Sequence, residues 1–272
     1  MPQPGYDVFT SHDGISLAYR VSGEGQPVVL VHGYTVTSTT NFATHYSDDG
    51  SGQLVGADGP TVESALIGAG CEVTMLDLRG HGHSDRPHDP DRYSMEILAN
   101  DVRALVSRLG IGKAALIGYS FGAWISCHLL SDPWVSRAAL CGVGSSCVEG
   151  EDPEFDESTT TMAECFLHDR WNDYPDYKAL RAWARLDGSD PDFMALGLVA
   201  ANAFRPVPVA TLASASLPVL VLNGGADSGA ADDEDLSRFI PGAARVVAGH
   251  GHHGNAPSDP IFQAEMVRFV LG

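Results

Sequence analysis

A serine set between two glycines, Gly118-Tyr119-Ser120-Phe121-Gly122, offers the first chemistry in this chain. The apolar run 114–117 leads into it, and a helix-like segment, 123–130, follows. A strand that turns directly into a helix at G-x-S-x-G has the form of a nucleophile elbow. The turn is so tight that outer side chains would clash, and Gly118 and Gly122 keep it possible. Ser120 Oγ is then pushed above the sheet at the positive end of a helix, where a developing anion is stabilised. Serine is also a favoured helix cap. The catalytic reading therefore requires a base and an acid elsewhere in the chain.

Candidates for both lie downstream. The apolar stretch 218–222 ends in Asn223-Gly224-Gly225-Ala226-Asp227, which presents a carboxylate just past a strand. A second short strand, 244–247, precedes Ala248-Gly249-His250-Gly251-His252-His253-Gly254. One of these three histidines is expected to meet Ser120 through Nε2 and Asp227 through Nδ1. The order Ser, Asp, His is the one such an elbow uses. The bland alternative makes Asp227 a helix cap. Asp232, Asp233, Glu234 and Asp235 read as a solvated acidic helix start, favourable against the dipole.

Further motifs accompany these residues. Val29-Leu30-Val31-His32-Gly33-Tyr34 has the form of a strand and oxyanion loop, and Asp77-Leu78-Arg79-Gly80-His81-Gly82-His83-Ser84 fits D-x-R-G-x-G-x-S. Gly224 to Asp227 fits G-x-x-D, and Gly249-His250-Gly251-His252 fits a terminal G-x-G-H. On these motifs the chain resembles the α/β-hydrolase superfamily over nearly its full length. The resemblance implies that His252 is the base, with His253 its nearest rival and His250 the next. It assigns the oxyanion hole to the backbone N–H groups of Tyr34 and Phe121, and it gives His32 the task of ordering that loop. Serine at the nucleophile position separates the chain from haloalkane dehalogenases and epoxide hydrolases, relatives that use aspartate there. The lack of H-G-G-G argues against a lipase-type loop.

His81-Gly82-His83-Ser84-Asp85-Arg86 comes close to the metal-binding pattern H-x-H-x-D-H. Arginine replaces the last histidine, so a zinc ion would lose a ligand and gain a positive neighbour. The expectation is no metal and no organic cofactor.

Composition narrows the partners. The net charge of −19 argues against nucleic acid, whose phosphates require clustered Lys and Arg, and against anionic membranes. A field of that sign favours a neutral or cationic small-molecule substrate. No apolar stretch is long enough to span a bilayer, and the N-terminal Met1-Pro2-Gln3-Pro4-Gly5 lacks the form of a secretory signal. Five cysteines (Cys71, Cys127, Cys141, Cys147, Cys165) lack C-x-x-C spacing, and several lie in apolar segments. Reduced, buried thiols and a cytoplasmic location are expected. Nothing sets the oligomeric state.

The elements that must position this chemistry follow from periodicity. Residues 6–10 and 15–21 flank His12-Asp13-Gly14 as a hairpin. Residues 27–32, 72–76, 114–117, 137–142, 219–222 and 245–247 read as mostly parallel strands. Residues 95–109 and 261–271 carry helical spacing, with Gly110 placed to end the first. Strands alternating with helices predict an α/β, doubly wound sheet flanked by helices, with the site at its carboxyl edge.

Two segments break the alternation. The stretch 35–60 is long for a connection, and its Asn41, Phe42, His45 and Tyr46 either line a pocket mouth or belong to a surface excursion. The resemblance implies that residues 144–216 form a small helical lid above the nucleophile, leaving 1–143 and 217–272 as the core. The lid's aromatic residues would favour an apolar acyl or alcohol group, or would simply pack the lid. The resulting expectation is a serine hydrolase of a small carboxylic ester, lactone or thioester. The same triad is compatible with cofactor-free perhydrolysis or C–C bond hydrolysis, and the fold with a ligand-binding protein lacking turnover.

Overall fold

A computed structural model of the chain describes residues 5–49, 53–188, 190–227 and 235–272. The chain opens with the hairpin β1 (Asp7–Thr10) and β2 (Ser16–Gly23), turning through Gly14 at φ 90°. Then come β3 (Gln26–Val31), α1 (Ser38–Phe42), and a small antiparallel pair, β4 (Tyr46–Asp48) and β5 (Leu54–Gly56). α2 (Val62–Gly68), β6 (Cys71–Leu76), α3 (Met95–Leu109), β7 (Ala114–Tyr119), α4 (Phe121–Cys127) and β8 (Val135–Cys141) continue the alternation. An insertion of four helices follows: α5 (Phe155–His168), α6 (Lys178–Trp183), α7 (Phe193–Ala203) and α8 (Val209–Ala213). β9 (Val219–Gly224), β10 (Ala244–Ala248) and α9 (Pro260–Leu271) complete the chain.

The eight-stranded sheet has the order β1-β2-β6-β3-β7-β8-β9-β10. β2 is antiparallel to both β1 and β6, and every later pairing is parallel. β7 and β9 are buried along their whole length, as parallel strands covered on both faces must be. One face packs α3, α4 and the insertion through Leu98, Val102, Ile125 and Phe166. The other packs α2 and α9 through Leu66, Phe262 and Met266. α3 starts on a Ser94 side-chain cap and stops at Gly110 in the left-handed region, φ 67°.

The doubly wound reading of the sequence therefore holds, together with its helical insertion after β8. The stretch 35–60 differs from a plain loop, because it contains α1 and the β4–β5 pair. Three-residue strands in a Thr-, Ser-, Gly- and Asp-rich segment carry no usable period. The acidic positions Asp232, Asp233 and Glu234 lie outside the described residues. Asp235 accepts a hydrogen bond from Ser237 N at 2.8 Å and starts the short 3-10 turn Leu236–Phe239.

The insertion is fastened to the core by aromatic side chains. Tyr34 packs edge-on against Phe166 and Phe204, and its hydroxyl donates to Leu196 O at 2.8 Å. Phe121 stacks on Phe204 with ring centroids 4.2 Å apart. Within the insertion, Trp171 is buried against Phe166 and Phe193. That side chain is packing core.

Candidate active site

Ser120 sits at the junction of β7 and α4 with φ 53° and ψ −119°. Few residues other than glycine adopt a positive φ, and the strain marks a turn held by its surroundings. A Cβ at Gly122 would run into the carbonyl oxygens of Val31 and His32, and one at Gly118 into Gly122 O and Ser126 Oγ. Both positions therefore require glycine, because the elbow lies directly against β3. Ser120 N donates to Cys141 O at 2.7 Å. The Ser120 side chain makes no cap bond to α4. Its Oγ instead lies 2.9 Å from His253 Nε2.

The other ring nitrogen of His253, Nδ1, lies 3.0 Å from Asp227 Oδ2, and Asp227 is buried. Ser120 and Asp227 thus stand where their spacing predicted, but the imidazole between them belongs to His253 and not to His252. The reason is the geometry of the turn after β10. His252 O accepts from both Asn255 N and Ala256 N, and His252 N donates to Asn255 Oδ1 at 2.8 Å. His252 is thereby locked at the head of the turn. Its Nδ1 accepts from Gly254 N at 3.0 Å, and its Nε2 faces Asp48 Oδ2 on β4 at 3.5 Å. His250 is exposed, and its N–H is held by Asp259.

Two contacts fix His253 that spacing did not single out. The Tyr119 hydroxyl donates to His253 O at 2.6 Å, and burial pushes that phenol's pKa well up. The Trp183 ring, at the end of α6, lies nearly parallel to the imidazole with centroids 6.1 Å apart. Below them the acid and histidine loops touch backbone to backbone, with Ala226 N donating to Gly251 O at 3.1 Å. A side chain at Gly224 or Gly225 would strike the carbonyl of Gly251 or Gly249. The only chemical signal for Tyr119 in the sequence is its place inside the G-x-S-x-G.

Tyr34 N and Phe121 N have no hydrogen-bond acceptor among the described residues. Gly33 brings the first of them close, since a Cβ there would sit 3.3 Å from Ser120 Cβ. His32 is fully buried beneath this loop; its Nδ1 donates to Gly33 O at 2.7 Å and its Nε2 accepts from Leu78 N at 2.9 Å. Burial lowers its pKa, keeping the ring neutral. His81 Nε2 accepts from Thr35 N at 3.3 Å while Nδ1 reaches Arg79 O, and burial pushes its pKa down to about 3. Both nitrogens of both rings therefore serve backbone groups. Arg79, buried in the same turn, is paired with Asp101 and Asp13 at 2.6 and 2.7 Å.

In front of Ser120 lies a cavity of about 190 Å³. Met162, Leu180, Trp183, Leu186 and Phe204 of the insertion form its apolar roof, and Thr40, Asn41, Thr44 and Tyr46 a polar wall. Among the described residues, no Lys, Arg, Asp or Glu lines it. Of the four residues singled out in 35–60, Asn41 and Tyr46 line the cavity. Phe42 is buried in the core beneath α1, and His45 Nδ1 donates to Pro60 O, away from the cavity.

Comparison with known proteins agrees with this fold. The family model described as alpha/beta hydrolase fold matches residues 26–191. A hydrolase structure from Pseudomonas aeruginosa superposes with a TM-score of 0.70 at 23% identity, covering 100% of both chains. An esterase from Rhodococcus sp. gives a TM-score of 0.66 at 25% identity over 98% of this chain and 99% of that one. A bifunctional epoxide hydrolase 2 of Sus scrofa is 31% identical over 35% of this chain and 19% of its own length. A non-heme chloroperoxidase of Kitasatospora aureofaciens is 29% identical over 42% of this chain and 34% of its own. The chain thus spans about a fifth to a third of the length of these curated relatives.

Proposed function

Because the chain belongs to the alpha/beta hydrolase fold family, we propose that it is a serine hydrolase cleaving a small carboxylic ester, lactone or thioester. The observation that carries this reading is the continuous line Ser120 Oγ, His253 Nε2, His253 Nδ1, Asp227 Oδ2, with separations of 2.9 and 3.0 Å. In this reading Ser120 Oγ bonds to the substrate carbonyl carbon as His253 Nε2 takes its proton. The oxyanion is held by Tyr34 and Phe121 N–H groups, which have no competing acceptor. The imidazolium, steadied by Asp227, gives the proton to the leaving alkoxide or thiolate as its bond to carbon breaks. Water then attacks the acyl group with His253 again as base, releasing the acid and restoring Ser120.

The uncharged cavity supports a neutral substrate, and the negative net charge makes a cationic one the next most suitable. The burial of all five cysteines, with no C-x-x-C spacing among them, supports a reducing, cytoplasmic setting. No helix of the described residues is long and apolar enough to cross a membrane. A second reading rests on the similarity to proteins named non-heme chloroperoxidase and non-heme haloperoxidase. Hydrogen peroxide in place of water would release the same acyl group as a peracid.

The test is covalent labelling with a fluorophosphonate, located by peptide mass spectrometry. An adduct on Ser120 that is absent from Ser120→Ala is the expected result. A folded protein that is unlabelled, or labelled elsewhere, overturns the assignment. Hydrogen peroxide added to an ester assay separates hydrolysis from peracid formation.

A further inference from the structure

We infer that Asn41 gives this site a preference for substrates whose acyl chain carries an oxygen acceptor on the first or second carbon from the reacting carbonyl. The inference rests on the hydrolase reading above and narrows its substrate class.

Asn41 is at the end of α1, and the helix is held firmly. Thr37 caps it through Thr40 N at 3.1 Å, and Asp77 Oδ1 accepts from Ser38 N and Ser38 Oγ at 2.9 and 2.6 Å. The Asn41 carboxamide is oriented by chemistry and not only by packing. Its Oδ1 accepts from Gly33 N at 2.8 Å. Only the oxygen of an amide accepts, so the Nδ2 group must point the other way. Nδ2 has no hydrogen-bond acceptor among the described residues, and Asn41 lines the cavity.

The same bond has a second effect. It removes Gly33 N–H from the donors available to a tetrahedral oxyanion and leaves Tyr34 N–H on that side. The Gly33 site lies between the amide and the nucleophile: a Cβ there would be 3.6 Å from Asn41 Oδ1 and 3.3 Å from Ser120 Cβ. The Asn41 carboxamide therefore stands on the oxyanion-loop side of Ser120, where the first carbons of an acyl group would pass. The same cavity is lined by Met162, Leu186 and Phe204, whose side chains are apolar. An acyl chain with an ether, keto or hydroxyl oxygen near the carbonyl satisfies Nδ2, whereas a plain alkyl chain leaves a donor facing carbon. A site built to hydrogen-bond a substrate discriminates against the analogue lacking the group. With no charged side chain lining the cavity among the described residues, the fitting acyl group is neutral.

The experiment compares 4-nitrophenyl methoxyacetate with 4-nitrophenyl butyrate, which differ by an oxygen in place of a methylene. Rates are divided by each ester's rate with hydroxide to remove intrinsic reactivity. The wild-type protein is expected to favour methoxyacetate in kcat/KM by about tenfold. Asn41→Ala is expected to bring that ratio to about one, apart from any fall that the two esters share through loss of the Gly33 N acceptor. Asn41→Asp keeps an acceptor for Gly33 N while removing the donors, and is expected to lose the preference without disturbing the loop. An equal fall for both esters, in either variant, makes Asn41 a loop support or a general oxyanion donor and overturns the inference. A wild-type ratio near one overturns it as well. If neither ester turns over and the fluorophosphonate does not label Ser120, the hydrolase reading itself has failed, and this inference with it.

Discussion

Two neighbouring histidines with opposite surroundings make the sharpest contrast in the site. His253 bridges Ser120 and Asp227, while His252 turns toward Gly254 N and Asp48. On the proposed mechanism, His253→Ala should lower kcat/KM by about 10³-fold or more, since triad members act as a unit. His252→Ala should stay within about threefold; steady-state kinetics on one ester decide it, and the reverse pattern would restore the G-x-G-H alignment. Ser120 and Asp227 were legible in the sequence because each follows an apolar strand and a glycine, so local pattern alone places it at the sheet edge. The choice between 252 and 253 was not. It depends on Asn255 closing a turn and on Tyr119 reaching the His253 carbonyl across 134 positions of sequence. No local spacing encodes those bonds.

At the scale of elements, the long apolar strands and the amphipathic α3 announced themselves. α1, α2 and the β4–β5 pair are too short to carry a period and were hidden. Yet α1 supplies the cavity's Asn41, and β4 its Tyr46. The loop after β6 bears a prediction of its own. His81 is buried as a neutral ring with its pKa held near 3, against about 6.5 for a free imidazole. Between those limits the unfolded chain binds the additional proton, so stability falls as the pH drops from about 6.5 toward 3. Asp13, held down to about 2 chiefly by its hydrogen bonds with Arg79, adds to the loss below about pH 4. Urea midpoints at pH 7.5, 5.5 and 4 should decline steadily, and His81→Gln should flatten the upper part of that decline. A midpoint constant over this range contradicts the assignment. The elbow gives a second test at this scale. Gly122→Ala forces a methyl group into the carbonyls of β3, so the chain should be recovered unfolded or with stability reduced by several kcal/mol, about 3 or more.

For the molecule as a whole, charge and enclosure act together. The net charge of −19 surrounds a cavity that, among the described residues, has no Lys, Arg, Asp or Glu in its lining. Such a field should slow the approach of an anionic ester and leave a neutral one unaffected. Raising the ionic strength from about 0.01 to 0.3 M, which shortens the screening length from roughly 30 Å to below 8 Å, should therefore raise kcat/KM for a succinate half-ester. An uncharged ester of equal size should respond little, and equal responses would show that the global charge does not reach the site.

The bond from Tyr34 to Leu196 joins these scales in another way. The residue proposed to hold the oxyanion through its backbone N–H has its side chain tied into the helical insertion, so the two parts are not interchangeable modules. A chimaera that replaced residues 144–216 with the corresponding piece of a relative would inherit new selectivity only if it also supplied a carbonyl for that phenol. Without one, the grafted protein would trade turnover for novelty, and directed evolution of the insertion should tolerate new side chains at position 196 while keeping its main-chain path.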